Sequence, residues 1–486
     1  MEAVARVESI DMPPEPLALA AALAEEPYWA WLDTAKMAGP ACRYSVIAAF
    51  PSIVVAAKGD CVRIGRPGQL TCRRGDPLLA LQEVLDAQGG VRRALARESP
   101  RVPFVGGVVG YWGYDLAPWT EPVKLLAVDD IAVPDMYLCW YDAAVIYDHE
   151  TGQAFLASLD RDAGDEAAAK LLSAVQRARR LPPPQPPDRA VRTGEELRCN
   201  FSYAQYVEAI VRAKEYIAAG DIYQVNLSQR FSAALSVNGW SLYLRLRQTN
   251  PAPFAGYLRF ADEVEILSSS PERFLRVEPD GLVETRPIKG TIHRGQTPEE
   301  DQQLANRLLS SVKDRAELLM IVDLERNDLG KVCQVGSVHV PALFSLETYE
   351  TVHHLVATVH GRLRADRGPV DLIRGTFPGG SITGAPKIRS MEIIDELEPT
   401  RRAIYTGSVG YISAHGRMDL NIAIRTFIVR RGEAFYQVGG GIVADSNPDS
   451  EYLETLAKGK GLAAALAPEL PGQIEAMRDA AVRARG

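Results

Sequence analysis

The 486-residue chain has little cysteine, a deficit of positive charge and no long apolar run. Its six cysteines, Cys42, Cys61, Cys72, Cys139, Cys199 and Cys333, are scattered without a C-x-x-C pair or a short-chain framework. That pattern predicts neither a zinc site nor structural disulfides, and reduced thiols in the cytoplasm. No stretch approaches the roughly 20 apolar residues that span a bilayer, and no basic segment followed by an apolar one opens the chain. The expectation is a soluble protein without a membrane partner. Lys and Arg number 54 against 62 Asp and Glu, a net charge of −8, which argues against a nucleic-acid partner and requires any anionic ligand to meet local cations. A nucleotide P-loop is excluded as well: Gly379 and Gly384 have its spacing, but Ala385-Pro386 stands where Lys-Ser/Thr is needed. No short solenoid-like repeat is present.

What remains is a chain with 47% apolar residues, long enough to bury a large core. Ala-rich, helix-like sequence from Asp165 to Arg180 runs into Pro182-Pro183-Pro184-Gln185-Pro186-Pro187, where prolines favour extended chain. The reading is an N-terminal domain over 1–180, a linker over 181–199, a second domain over 200–466 and a C-terminal tail over 467–486. Ser202 with Gln205 three residues on is a capping box, opening an amphipathic helix that Gly220 stops. Ile222 to Phe231 then alternates as a strand, with Gln224, Asn226, Ser228 and Arg230 on its polar face. Further strands are expected at Phe104–Tyr114, Tyr137–Tyr147, Glu265–Ser269, Tyr405–Ser413, Met418–Val429 and Glu433–Val438, the late ones antiparallel. Helices are expected at 299–312, 314–329, 386–397 and 450–466.

Two carboxylate pairs carry a spacing argument. Asp314 with Glu317, and Glu451 with Glu454, are each three apart and so share one helical face. If the two faces meet they form a cage of oxygen donors suited to a hard cation such as magnesium; a solvated helix face is the alternative. Arg425 lies in the alternating run Met418–Thr426, where a guanidinium can offer two parallel donors or simply face solvent. Gly439-Gly440-Gly441 permits close backbone approach to an oxyanion, or a bulge or tight turn. The segment Pro378–Lys387 places glycines before Pro386, a good first helical residue, and a helix N-terminus there favours anions. His353 and His354, adjacent on a strand, must point to opposite faces. Lys289, in Pro287-Ile288-Lys289-Gly290-Thr291, reads as a nucleophile or as an ordinary solvated charge.

At Ser270-Pro271-Glu272-Arg273-Phe274, Pro287–Thr291, Asp314-Arg315-Ala316-Glu317, Gly379–Lys387 and Gly439–Ser446 the chain resembles the chorismate-utilising enzymes, strongly over Phe201–Leu462 and more weakly before that. The resemblance implies an α+β fold with large antiparallel β-sheets in a sandwich flanked by helices. It implies Mg2+ held directly by Glu317 and Glu454 and through water by Asp314 and Glu451. Lys289 would attack the substrate ring and Glu272 would act as general acid. His354, Ser381, Tyr405, Arg425, Lys458, Gln224 and the glycines Gly439, Gly440 and Gly441 would contact chorismate.

Lysine at 289 resembles the branch that forms 4-amino-4-deoxychorismate, whereas the anthranilate-forming branch usually carries alanine there. Gln224 occupies the place of a water-activating lysine in the isochorismate- and salicylate-forming branches; a glutamine amide cannot serve as that base, which favours an amine nucleophile. No cysteine here lies in a Gly-x-Cys-x-Gly elbow, so the implied ammonia source is a separate glutamine amidotransferase. The anthranilate-forming reaction and a catalytically silent binding protein are the alternatives. The resemblance also implies a tryptophan pocket in the N-terminal half, built from Asp33, Arg43, Tyr44, Ser45, Pro251 and Phe254.

Overall fold

A computed structural model describes residues 5–13, 15–35, 43–89, 102–349 and 352–483. Cys42 and the last three residues of the C-terminal tail lie outside the described residues. The fold is α+β, with two antiparallel sheets of twelve strands each. The first sheet joins the two halves of the chain where Trp29–Asp33 pairs with Phe254–Arg259, and the second where Gly107–Trp112 pairs with Ser408–Ser413. Between the sheets lies one apolar core, with Ala30, Val46, Leu258 and Ile266 from the first packed with Val55, Val109, Leu275 and Leu420 from the second. A second core, including Trp29, Trp31, Leu227 and Tyr436, is covered by helices through Leu171, Tyr206, Leu246 and Leu456. Each sheet thus has a buried face that its alternating apolar residues supply.

The expected helices form at Pro298–Leu309, Val312–Gly330, Lys387–Leu397 and Pro448–Leu466. The capping box forms as well: the Ser202 hydroxyl accepts the N–H of Gln205, whose side chain returns to the Ser202 N–H. Pro386 sits one residue outside its helix rather than at the first helical position. Two strands that the sequence presents as continuous are divided. Tyr137–Tyr147 becomes Met136–Tyr141 in the second sheet and Ala143–Asp148 in the first. The buried corner residue Asp142 accepts hydrogen bonds from Ser52, Trp140 and Arg161. Met418–Val429 likewise becomes Met418–Asn421 and Thr426–Arg430, with the chain crossing between sheets at Ile422–Arg425. Alternation cannot reveal such corners, because both segments bury apolar residues on either side of the crossing.

The expectation of no disulfide is overturned. Cys61 and Cys72 lie on neighbouring strands of the Cys61–Arg74 hairpin, with Cα atoms 6.3 Å apart, and are joined. Their pairing follows from a hairpin whose strands the cysteine spacing alone did not disclose. Among the described residues no helix is long and apolar enough to cross a membrane.

Candidate active site

The strand Ile288–His293 carries Lys289 and pairs with Val352–Arg362. Register slips between the pairs Ile288↔Val356 and Thr291↔His354, so Lys289 and Gly290 together oppose the single residue Leu355. This is a bulge, which re-aims a side chain at the cost of one unpaired residue. Gly290 adopts φ +79°, and a Cβ there would come within 2.8 Å of Leu308 and 3.0 Å of Asp314. Only glycine fits both the conformation and the space.

The Lys289 amine makes no hydrogen bond or close ion pair among the described residues. Desolvation lowers its pKa, against the opposing pull of Glu317 and Glu272, and Lys458 reinforces the lowering. The side chain is only partly screened, because it opens to a cavity rather than into sealed core. Glu272 is buried beside it. The Ser381 hydroxyl donates to Glu272 Oε1 at 3.0 Å and the Ile288 N–H at 3.5 Å. Burial pushes the Glu272 carboxyl up to about 7, with Lys289 and Ser381 pulling back. An amine whose pKa is lowered by desolvation and a carboxyl raised to about 7 therefore stand together, each shifted toward its uncharged form.

Lys289 and Glu272 face a cavity of about 580 Å³ whose wall includes all four carboxylates singled out by spacing. Ser311 caps the helix Val312–Gly330 by accepting the Asp314 N–H, setting Asp314 and Glu317 in its first two turns. Asn447 caps Pro448–Leu466, which projects Glu451, Glu454 and Lys458. Glu451 accepts from Ser446 at 2.7 Å, Glu454 pairs with Lys458 at 2.8 Å, and Glu317 lies 3.8 Å from Lys313. Desolvation raises the Glu317 carboxyl; it is also the largest influence on Glu454, where Lys458, Lys313 and Lys289 together outweigh it and hold that carboxyl low. As placed, no three His, Cys, Asp or Glu side chains among the described residues converge closely enough to hold a metal. The oxygen-only donor set is nevertheless of the kind magnesium takes, and one or two carboxylates with waters and substrate suffice for that ion.

Arg425 reaches the cavity from the crossing between the sheets, at φ +49°, and not from the regular strand the alternation predicts. The crossing turns its side chain into the cavity, where its guanidinium has no hydrogen-bond or ion-pair partner among the described residues. Surrounding protein lowers its pKa by desolvation even though the side chain is accessible from the cavity. His354 is buried, with Nδ1 2.8 Å from Thr291 Oγ1. Burial first, and then the charge of Arg425, push its pKa down to about 4, so the imidazole is neutral at physiological pH. His353 faces away and bonds Asp301 and Thr348 at 2.9 Å each, as adjacent positions on a strand require.

Ser381 and Tyr405 complete the wall near Glu272 and the glycines. Burial pushes the Tyr405 hydroxyl up, keeping it protonated. Gly439, Gly440 and Gly441 form regular strand opposite Ser228, Leu227 and Asn226, neither bulge nor turn. Two of them leave no room for a side chain: a Cβ at Gly439 would lie 2.5 Å from the Leu227 carbonyl, and one at Gly441 2.7 Å from Gln224 Nε2. Lys458 Nζ donates to the Gly439 carbonyl at 2.9 Å. Gln224 itself is fully buried beside Gly441 and does not line the cavity; neither amide atom has a hydrogen-bond partner among the described residues. The sequence reading passed over Asn226, Thr291, Lys313, Thr406 and Gln437 on the same wall. Asn226 was signalled by its place on the polar face of the Ile222–Phe231 alternation; no pattern marks Lys313.

A second cavity of about 330 Å³ includes Asp33, Arg43, Tyr44 and Phe254 in its wall, with Pro253 in place of Pro251. Ser45 lies beside it, accepting the Thr34 N–H at 3.1 Å and bonding His149 at 2.8 Å.

Residues 54–464 match the family model for chorismate binding enzymes, and the chain belongs to that family. Among its relatives, aminodeoxychorismate synthase component 1 of Salmonella typhimurium is 43% identical over 419 residues, 86% of this chain and 88% of the relative. Anthranilate synthase component 1 of Aquifex aeolicus is 40% identical over 446 residues, covering 87% and 86%. The solved anthranilate synthase component I of Streptococcus pneumoniae superposes with a TM-score of 0.75 at 34% identity, covering 88% of this chain and 93% of that one. The menaquinone-specific isochorismate synthase of Escherichia coli shares the fold, with a TM-score of 0.69 at 18% identity, covering 96% and 95%.

Proposed function

We propose that this chain converts chorismate and ammonia to 4-amino-4-deoxychorismate, acting as component 1 of an aminodeoxychorismate synthase in p-aminobenzoate and folate formation. The observation that carries this reading is Lys289, a desolvated amine without a partner among the described residues, beside a carboxyl raised to about 7. Anthranilate synthase component 1 is the second reading, since relatives of both names are about equally similar. Overall identity does not separate the two, and Lys289 favours the first. A silent chorismate-binding protein is disfavoured by the proton donor, amine and carboxylates that share one cavity.

In the proposed course, the neutral Lys289 amine bonds to C2 of the ring. The ring double bonds shift, the C4–O bond breaks, and Glu272 gives its proton to the departing hydroxyl, which leaves as water. Ammonia then bonds to C4, the double bonds shift back, and the C2–N bond breaks to return the lysine. A proton from the incoming nitrogen restores Glu272. The enolpyruvyl group stays on the product, and a separate lyase removes pyruvate from it.

Arg425 offers a bidentate guanidinium to one substrate carboxylate and His354 a neutral hydrogen bond to the ring hydroxyl. Glu317 and Glu454 would hold Mg2+, with Asp314 and Glu451 holding its waters; when bound, the ion offsets the negative charge of the substrate among these carboxylates. Ammonia is supplied by a glutamine amidotransferase subunit. Tryptophan is proposed for the second cavity, whose mixed wall sets Leu32, Val46 and Phe254 among paired charges that suit a zwitterion. The deciding experiment incubates purified chain with chorismate, Mg2+ and ammonium and identifies products with and without added lyase. A product that the lyase converts to p-aminobenzoate supports the proposal, anthranilate supports the second reading, and unconsumed chorismate the third.

A further inference from the structure

Behind the cavity wall lies an ion pair that the proposed mechanism leaves unused. Arg402 and Glu398 are 2% and 4% exposed and line neither large cavity. Every guanidinium N–H of Arg402 has an acceptor. Nε and Nη2 grip the two Glu398 oxygens at 2.9 and 2.7 Å, Nη2 also donates to the Asn226 carbonyl at 2.7 Å, and Nη1 donates to the Ile382 carbonyl at 3.1 Å and Thr406 Oγ1 at 3.3 Å. Glu398 in turn accepts the N–H and hydroxyl of Ser228, both at 2.9 Å. One planar fork thus ties the 381–383 loop, the Gln224–Ala234 strand and the turn bearing Tyr405 and Thr406. The stitching continues to the reacting groups: Asn226 Nδ2 donates to the Ser381 carbonyl at 3.0 Å, the Asn226 N–H donates to the Thr383 carbonyl at 2.8 Å, and the Ser381 hydroxyl holds Glu272.

Resting on the proposed function, we infer that Arg402, locked by Glu398, is a positioning residue of the reaction, which fixes Ser381 against Glu272 without touching substrate. A lysine cannot replace it, because an ammonium has three donors and no planar fork. Among the described residues, the groups that bear on Glu272 besides Ser381 and the Ile288 N–H are Lys289 and the buried Glu325, and neither bonds Arg402.

The experiment compares Arg402→Lys, Ser381→Ala and their combination. Arg402→Lys is expected to lower kcat about 10- to 100-fold, the scale of a small misplacement of reacting groups, with little change in KM. The alkaline limb of the kcat profile is expected to move to higher pH, as in Ser381→Ala, because the lost hydrogen bond no longer favours the Glu272 carboxylate. The combined variant is expected to move no further. A folded Arg402→Lys protein with an unmoved limb, or additive movement in the combined variant, would overturn the inference.

Should Arg402→Lys not fold, Arg402→Met with Glu398→Gln removes both buried charges together and carries the same comparison. Failure of both to fold would make the pair structural and equally overturn the assignment. Infrared titration of the carboxyl band that disappears in Glu272→Gln repeats the comparison without substrate. The positioning role therefore stands or falls there even if the wild-type product proves not to be 4-amino-4-deoxychorismate.

Discussion

The two cavities hold their charges differently. Around the smaller one, Asp33 is paired with Arg247, Arg43 with Asp148 and Glu150, Arg273 with Asp419 and Glu284, and both Arg276 and Arg417 with Glu278. Around the larger one, Arg425 and Lys289 have no partner among the described residues. Both side chains are accessible from the cavity, so their polar ends stay open to whatever enters it, whereas the pairs around the smaller cavity are already closed within the protein. Under the proposed function, the larger cavity leaves these groups for its ligand to meet. The smaller is already complete, so a ligand there must exchange contacts with existing pairs or be nearly neutral overall.

Removing Lys289 should break the comparison most sharply. Lys289→Ala is expected to reduce 4-amino-4-deoxychorismate formation about 10³-fold or more, the scale for loss of a nucleophile, and to shift residual reactivity toward the anthranilate-type course. Product analysis at fixed chorismate, Mg2+ and ammonium checks this, and wild-type rate and products would rule out covalent catalysis. Arg425→Gln comes next. Because the guanidinium holds nothing in the fold, thermal stability should stay near wild type while KM for chorismate rises about 10- to 100-fold, the worth of a charge-assisted hydrogen bond. An unchanged KM would return Arg425 to an ordinary surface role.

Glu317→Gln and Glu454→Gln should each require about tenfold or more magnesium for half-activation. Wild-type magnesium titrations would remove these residues from the metal site. The pH profile sharpens the same contrast. General acid catalysis needs Glu272 protonated, so kcat should fall as pH rises through about 7, while the need for a neutral Lys289 should limit the rate on the acid side. Since the two groups interact, the apparent values belong to the pair. Glu272→Gln should abolish the alkaline limb.

The smallest effect is expected at the other cavity. Tryptophan at 100 times its Kd would stabilise the fold by about 2.7 kcal/mol and raise Tm by a few degrees. No heat of binding and no stabilisation at millimolar tryptophan, in protein freed of the amino acid, would leave that cavity a structural junction.

The regular parts of this arrangement were legible in the sequence because they repeat. Spacing of three put each carboxylate pair on one helix face, the Ser202 capping box fixed a helix start, and the polar alternation from Gln224 to Arg230 marked the strand beside the glycines. What alternation could not disclose were interruptions of itself. The corner at Asp142, the crossing that turns Arg425 into the cavity, and the extra residue at Lys289-Gly290 depend on partner strands far away in the chain. Arg402 was hidden for a related reason. Glu398 and Thr406 are its near neighbours in sequence, but the Ile382 and Asn226 carbonyls are brought to it only by the fold, and one arginine in Arg401-Arg402 looks like the other.

The slip between Ile288 and Thr291 also bears on how such a site can be lost or gained. In an uninterrupted ladder Lys289 alone would stand opposite Leu355, which is fully buried in the core between the sheets. Deleting one residue would keep the lysine in the sequence yet turn it toward apolar packing, since a one-residue change in strand register exchanges the two faces. On the proposed mechanism, the nucleophile is therefore written in the length of a strand as well as in the letter at one position. Two chains can both carry the lysine and still differ in chemistry by an insertion that residue-by-residue comparison would score as a trivial gap.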